Sequence, residues 1–140
     1  MFVEFFVNFD GNCREAVEYY AKVFKSEVSN LMTYSDAPTD PNHPVAEGDK
    51  DKVLYAGVKI GNVVGMFSDT PTGAPFVKGT NVALTVSLDD KDEVKRIYDE
   101  LSDGGSVIMP LGPTFFSEMF SMFEDKFGVI WQVLYYVQEN

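Results

Sequence analysis

Residues 2–24 read FVEFFVNFDGNCREAVEYYAKVF, and two different periods lie end to end within them. The first eight residues alternate, with Val3, Phe5, Val7 and Phe9 on one face and Glu4, Phe6 and Asn8 on the other. That is the period of a strand with one buried face. From Asp10 onward the period lengthens. Ala16, Val17, Tyr20, Val23 and Phe24 recur at helical spacing, Asp10 or Asn12 is available as the N-cap, and Glu15 lies in the first turn, where the helix dipole favours a carboxylate. The stretch is a strand feeding directly into an amphipathic helix.

Working outward, EVSNLMTYS (27–35), KVLYAGVKIG (52–61) and NVVGMFSD (62–69) read as three further strands. The last two meet at KIGNVV, where Gly61-Asn62 is suited to the positive φ angles of a tight hairpin. Beyond the loop TPTGAPFVKGT (70–80) the order begins again. NVALTVSL (81–88) alternates, and DDKDEVKRIYDELSDGG (89–105) is a helix capped by Asp89 or Asp90 and stopped at Gly104-Gly105. SVIMPLG, TFFSEMFSMFED and VIWQVLYYV then read as three more strands. Asp10 matches Asp89 at a shift of 79 residues, and Glu15, Ala16 and Tyr20 match Glu93, Val94 and Tyr98 at a shift of 78. The chain is thus a tandem βαβββ duplication, with modules at 1–70 and 80–140. Such modules predict an α+β fold whose curved, partly open mixed sheet carries its helices outside. The wholly apolar face of each first strand must lie under the helix. The mixed faces, with Glu4, Phe6, Asn8, Asn81, Thr85 and Ser87, are left to line a small-molecule cleft.

Composition narrows the functional classes. The 140 residues suit one domain with a real core. Aromatic residues reach 14%, including 12 Phe and 7 Tyr, which favours apolar packing and ligand contacts. A net charge of −11, from 22 acidic and 11 basic side chains, would repel a phosphate backbone, so nucleic acid is not an expected partner. No apolar run reaches the length of a membrane span, and Glu4 and Asn8 interrupt the place a signal peptide would occupy. A single cysteine allows no internal disulfide, which makes the cytoplasm the expected compartment.

The segments NFDGNCREAVEYYAKVF, KIGNVVGMFSD, LDDKDEVKRIYDELSDGGSVIMPLGPTFF and DKFGVIWQV together resemble the PhnB-like branch of the vicinal oxygen chelate superfamily, which includes glyoxalase I, extradiol dioxygenases and bleomycin-resistance proteins. The resemblance implies a single glyoxalase/bleomycin-resistance-like domain over 1–140 and a homodimer, since the superfamily commonly pairs modules within or between chains. It also implies a divalent metal held by one ligand from the first strand and one from the last strand of each module. Carried onto this chain, those positions are Glu4 (or Phe5, at a register one residue away), Met66, Asn81 and Gln132. Where many PhnB-like sequences have a strand His, this one has Tyr55. That set is degenerate, because thioethers and neutral amides are poor donors for zinc, nickel, manganese or iron. No resident cofactor is therefore expected. Gln132 is either a binding residue for a polar ligand or a buried amide satisfied by its neighbours.

Other residues carry weaker signals. His43, the one histidine, lies in the polar loop SDAPTDPNHPVAEGDKDK (35–52), which reads either as a mobile connection able to act as a lid or as a disordered segment. Cys13 opens the first helix, where the dipole would lower its pKa, but no catalytic partner accompanies it. Asp69 ends its strand and either reaches a ligand or bonds local backbone. On the segment 114–125, alternation puts Phe116, Glu118, Phe120, Met122 and Glu124 on one face, with Phe116 as cleft wall and Glu118 as a candidate general base. PhnB-like sequences are sometimes labelled ubiquinone-type methyltransferases, yet no glycine-rich strand–turn–helix unit is present to hold S-adenosylmethionine. Two functions follow: a metal-free small-molecule binding protein, or a glyoxalase- or dioxygenase-like enzyme.

Overall fold

In the computed structural model, which describes residues 1–137, the strands form two four-stranded mixed sheets with two helices, the α+β class expected. The chain divides into two compact units, Met1–Val77 and Lys78–Asn140. The first runs β1 (Phe6–Phe9), α1 (Cys13–Val23), β2 (Val28–Thr33), β3 (Val53–Ile60) and β4 (Val63–Asp69). The second runs β5 (Leu84–Leu88), α2 (Lys91–Ser102), β6 (Ser106–Gly112), β7 (Phe120–Glu124) and β8 (Ile130–Tyr135). The strand orders are β1-β4-β3-β2 and β5-β8-β7-β6. In each, the first and last strands of the module pair in parallel and the other pairs are antiparallel. The registers coincide as well. Phe6 lies beside Met66, and Thr85 lies beside Gln132.

Alternation decides which face each helix covers. In the first unit Phe9 is buried and Phe5 half-buried, while Phe6 and Asn8 on the other face are exposed. Phe67 is fully buried and collects the rings of Phe5, Phe9 and Tyr20 at centroid distances of 5.8, 6.2 and 5.6 Å. Helix α1 adds Cys13, Ala16, Val17, Tyr20, Ala21 and Val23. In the second unit Val94, Ile97 and Leu101 of α2 are buried, as are Phe123, Trp131 and Val133 of the sheet, with the Tyr98 ring edge-on to Phe123. Each fully buried large apolar side chain contributes about 1.5–3 kcal/mol.

The two helices are capped differently. Asp90 caps α2 from the adjacent position, its Oδ1 accepting from the Asp92 and Glu93 backbone N–H groups at 3.0 and 3.1 Å. At α1 the N-cap residue Asn12 makes no side-chain cap bond. The acceptor comes instead from the end of β4. Asp69 Oδ1 accepts from the Gly11 and Cys13 N–H groups at 3.0 and 2.9 Å, and Oδ2 accepts from Val53 N–H at 2.9 Å. This carboxylate is 2% exposed. It is tolerated because three donors and the positive end of α1 replace its water. Asp125, equally buried, plays a related part in the second unit. Its Oδ1 accepts from Phe127 and Val129 N–H, closing the turn into β8, and its Oδ2 accepts from Trp131 Nε1 at 2.9 Å.

Several boundaries differ from those the alternation suggested. The first strand begins at Phe6 and its counterpart at Leu84, so Glu4 and Asn81 lie outside regular strand, both exposed. In the hairpin only Gly61 takes a positive φ, +60°. Residues 114–119 form a turn rather than strand. There Thr114 Oγ1 accepts from the Phe116 and Ser117 N–H groups, so Phe116 and Glu118 precede β7. Gly105 follows α2 where an added Cβ would collide with the Glu124 carbonyl, so this close approach to the end of β7 admits no larger residue. The loop 35–52 is anchored at its far end by Asp49, which is buried and accepts from Thr72 N–H, Thr72 Oγ1 and Lys52 Nζ at 2.9, 2.7 and 2.9 Å. Lys52 first and Thr72 second hold the Asp49 carboxyl down to about 2. The edge strands β2 and β6 both pair irregularly with their neighbours, and Asn30 in β2 has a φ of +53°.

Replacing the two capping carboxylates should separate their roles. Asp69→Ala strands the buried N–H groups of Cys13 and Val53, leaves that of Gly11 to water, and should cost roughly 3 kcal/mol. Asp90→Ala loses an exposed cap and should cost about 1 kcal/mol. Urea unfolding midpoints of the two variants will show whether that order holds.

Candidate functional site

The face of each sheet that its helix leaves uncovered can be read as rows running across the strands. In the first unit one row is Phe6, Met66, Gly57 and Ser29. Asn8 and Ser68 pair one step along on the same face, as do Tyr55 and Met32. Four of the expected residues, Phe6, Asn8, Tyr55 and Met66, are therefore on one face. Phe6 is 52% exposed, and Met66 and Tyr55 are half-buried. The space beside Gly57 is filled by its neighbours, since a Cβ there would come within 2.8 Å of Ser29 Oγ and 3.5 Å of the Tyr55 hydroxyl. Phe5, the alternative at the first-strand position, points under α1 against Phe67.

In the second unit one row is Thr85, Gln132, Met122 and Met109, and the next holds Ser87, Leu134, Phe120 and Gly112. Gln132 is half-buried. Its Oε1 accepts from Thr85 Oγ1 at 3.1 Å, and its Nε2 has the Met122 sulfur at 3.9 Å. Phe116 lies edge-on to Phe120, with centroids 5.1 Å apart, and is 57% exposed. Met66 and Gln132 occupy equivalent positions in the two modules, facing Phe6 and Thr85 respectively. The first pair is a thioether and a phenyl ring, the second an amide and a hydroxyl, and neither pair supplies the imidazole, carboxylate or thiolate that zinc, nickel, manganese or iron takes as a tight donor. Among the described residues no three His, Cys, Asp or Glu side chains converge to hold one.

The remaining candidates have other partners. Glu118 is exposed and paired with Lys91 Nζ at 2.5 Å, at the start of α2, and that ammonium also lies 5.1 Å from the Tyr135 ring centroid. His43 is exposed in its loop, with Nδ1 2.9 Å from Asp40 Oδ2. Asp69 is committed to backbone, as described above, but to distant rather than local N–H groups. Cys13 is wholly buried, and burial first, the Asp69 charge second, pushes its thiol up to about 12 rather than down.

A separate open hollow of about 440 Å³ lies at the N-terminus of α1, lined by Gly11, Arg14, Glu15, Glu18, Lys52 and Asp69 among others. The helix-start donors beside it, the Gly11 and Cys13 N–H groups, are already taken by Asp69. Sequence reasoning missed this hollow and the anchoring role of Asp69, which serves the Gly11 and Cys13 N–H groups 58 and 56 residues away and so leaves no local spacing to detect.

Comparison with known proteins agrees with this architecture. Residues 2–134 match the family described as 3-demethylubiquinone-9 3-methyltransferase. Protein YjdN of Escherichia coli K12 is 29% identical, over 91% of this chain and 90% of its own. The crystal structure of PA1353 from Pseudomonas aeruginosa is 33% identical, with a TM-score of 0.87 over 96% of this chain and 97% of that one. A PhnB protein from Bacillus cereus is 26% identical, with a TM-score of 0.80 over 97% of this chain and 100% of that one. At 13% identity and a TM-score of 0.62, a glyoxalase/bleomycin resistance protein/dioxygenase family enzyme from Burkholderia phytofirmans shares the fold, covering 94% of this chain and 97% of its own.

The buried thiol gives a measurable pH effect. In the folded chain Cys13 keeps its proton to about pH 12, whereas unfolded it ionises near about 8.5. Between these values the unfolded state binds fewer protons, so stability should fall as pH rises. Cys13→Ala should flatten that decline in denaturation curves taken from pH 8 upward. A thiol reagent should modify the native protein only on unfolding.

Proposed function

The chain belongs to the PhnB-like family described as 3-demethylubiquinone-9 3-methyltransferase, and from that premise we propose that it is a cytoplasmic small-molecule binding protein that works without a metal. The observation that carries this reading is the pairing of Gln132 with Thr85 and of Met66 with Phe6. Met66 and Gln132, two of the positions that the family resemblance assigns to a metal, carry side chains suited to an organic ligand, as do their strand neighbours Phe6 and Thr85. Aromatic and thioether surfaces supply contact area, while one amide and a few hydroxyls supply direction.

Neither enzymatic reading draws support from the geometry. A metal-dependent glyoxalase- or dioxygenase-like enzyme would need donors that Met66, Asn81 and Gln132 do not supply and that Glu4, exposed ahead of β1, cannot supply alone, and Glu118, the candidate base, is engaged with Lys91. The methyltransferase description names the family and carries no chemistry over to this chain. The turn from β1 to α1 holds a single glycine, and its N–H groups face Asp69 rather than open space for a cofactor. The working form we propose is a homodimer, which would cover apolar side chains such as Phe6, Met32 and Val64, exposed on the first sheet.

Two measurements test these readings. Thermal-shift titration with zinc, nickel, manganese and iron(II) should leave the melting temperature unchanged. A stabilisation of several degrees that Gln132→Leu removes would overturn the metal-free reading. Light scattering on the untagged protein should give twice the chain mass, and a monomer at all concentrations would refute the dimer.

A further inference from the structure

We infer that the uncovered face of the second sheet selects an uncharged aromatic ligand through a carbonyl oxygen that accepts from Gln132 Nε2. This rests on the binding reading above and narrows it to a ligand class. The neighbours of the amide fix its orientation. Thr85 Oγ1 lies on one side of it and the Met122 sulfur on the other. A hydroxyl can donate to Oε1, whereas a thioether can only accept. Placing the amide the other way would set Oε1 against sulfur, acceptor against acceptor. The row therefore fixes Oε1 toward Thr85 and the NH2 toward Met122. One N–H has only a distant, weak acceptor there, and the second is left for whatever lies on the face.

Charge selects next. The two central rows, Thr85–Gln132–Met122–Met109 and Ser87–Leu134–Phe120–Gly112, contain no ionisable side chain. Glu124, at the margin, is paired with Lys78. A carboxylate or phosphonate ligand would meet no cation here and would approach a chain of net charge −11. A cation would find no carboxylate free to receive it. A pure hydrocarbon would cover the Gln132 N–H without giving it an acceptor, which is unfavourable. A neutral carbonyl compound meets both conditions. The aromatic body follows from the surroundings, since Met122 and Met109 offer sulfur to a ring and the exposed Phe116 offers an edge or face.

A matched series isolates the donor. The wild-type protein is titrated with 2-acetylnaphthalene, 2-ethylnaphthalene and 2-naphthoate, which share a ring system and differ in carbonyl and charge. Affinities are measured, and the Gln132 side-chain amide signals are followed by nitrogen-15 NMR. The ketone should bind about tenfold tighter than the hydrocarbon and shift the amide signals, with the naphthoate weakest. Gln132→Leu, checked for folding by circular dichroism, should equalise ketone and hydrocarbon. Equal wild-type affinities for those two would overturn the donor role while leaving small-molecule binding intact. Tightest binding of the naphthoate would overturn the charge argument. Absence of binding by all three would overturn this inference, and an accompanying failure to bind a broad panel of apolar compounds would bring down the binding reading itself.

Discussion

Asp69 is the constraint around which the first unit is arranged. Its carboxylate joins the turn before α1, the first residue of α1, the start of β3 and the end of β4. A charge so deeply buried would be unfavourable alone, and it is the set of three donors that makes it stabilising. The same backbone groups cannot then serve a ligand, so the stability of α1 and the absence of an open anion-binding turn have one cause. Its backbone carbonyl extends the arrangement by accepting from the Tyr34 hydroxyl at 2.7 Å. In the second unit the equivalent strand end is Tyr135, and the work is divided. Asp90 caps the helix, while Asp125 fixes the final turn and holds the Trp131 indole.

Duplication supplied two copies of one plan, and the copies have since taken different chemistry. Phe6 corresponds to Thr85 and Met66 to Gln132. The first sheet presents a ring and a thioether at these positions. The second presents a hydroxyl bonded to an amide. The hydrogen-bonding groups of these paired positions are thus in the second module, and the first offers only apolar surface there.

The elements themselves were legible because their signals are local. Alternation placed Phe5, Val7 and Phe9 together, the 3.6-residue period found both helices, and the internal match exposed the repeat. What escaped was set by partners far along the chain. Asp69 resembled a turn residue because its acceptor role spans 16 to 58 positions. Phe116 and Glu118 continued an alternating pattern, yet the Thr114 hydroxyl bonds the local backbone into a turn before β7 begins. Cys13 sat where a helix dipole lowers a pKa, but burial against Asp69 outweighs the dipole. For the face around Gln132, the sequence identified the residue and left its neighbours open. The parallel register with β5 supplied Thr85, and with it the orientation of the amide.

The irregular pairing of β2 and β6 bears on how the protein behaves when crowded. These strands close one side of their sheets, where unpaired N–H and C=O groups invite another chain to add on. Asn30, in its left-handed conformation, breaks the even spacing that a docking strand would need, and Pro110 in β6 has no N–H to give. In a chain rich in phenylalanine and β-branched residues, these two edges are thus built against the addition of another strand, the step by which fibrils grow.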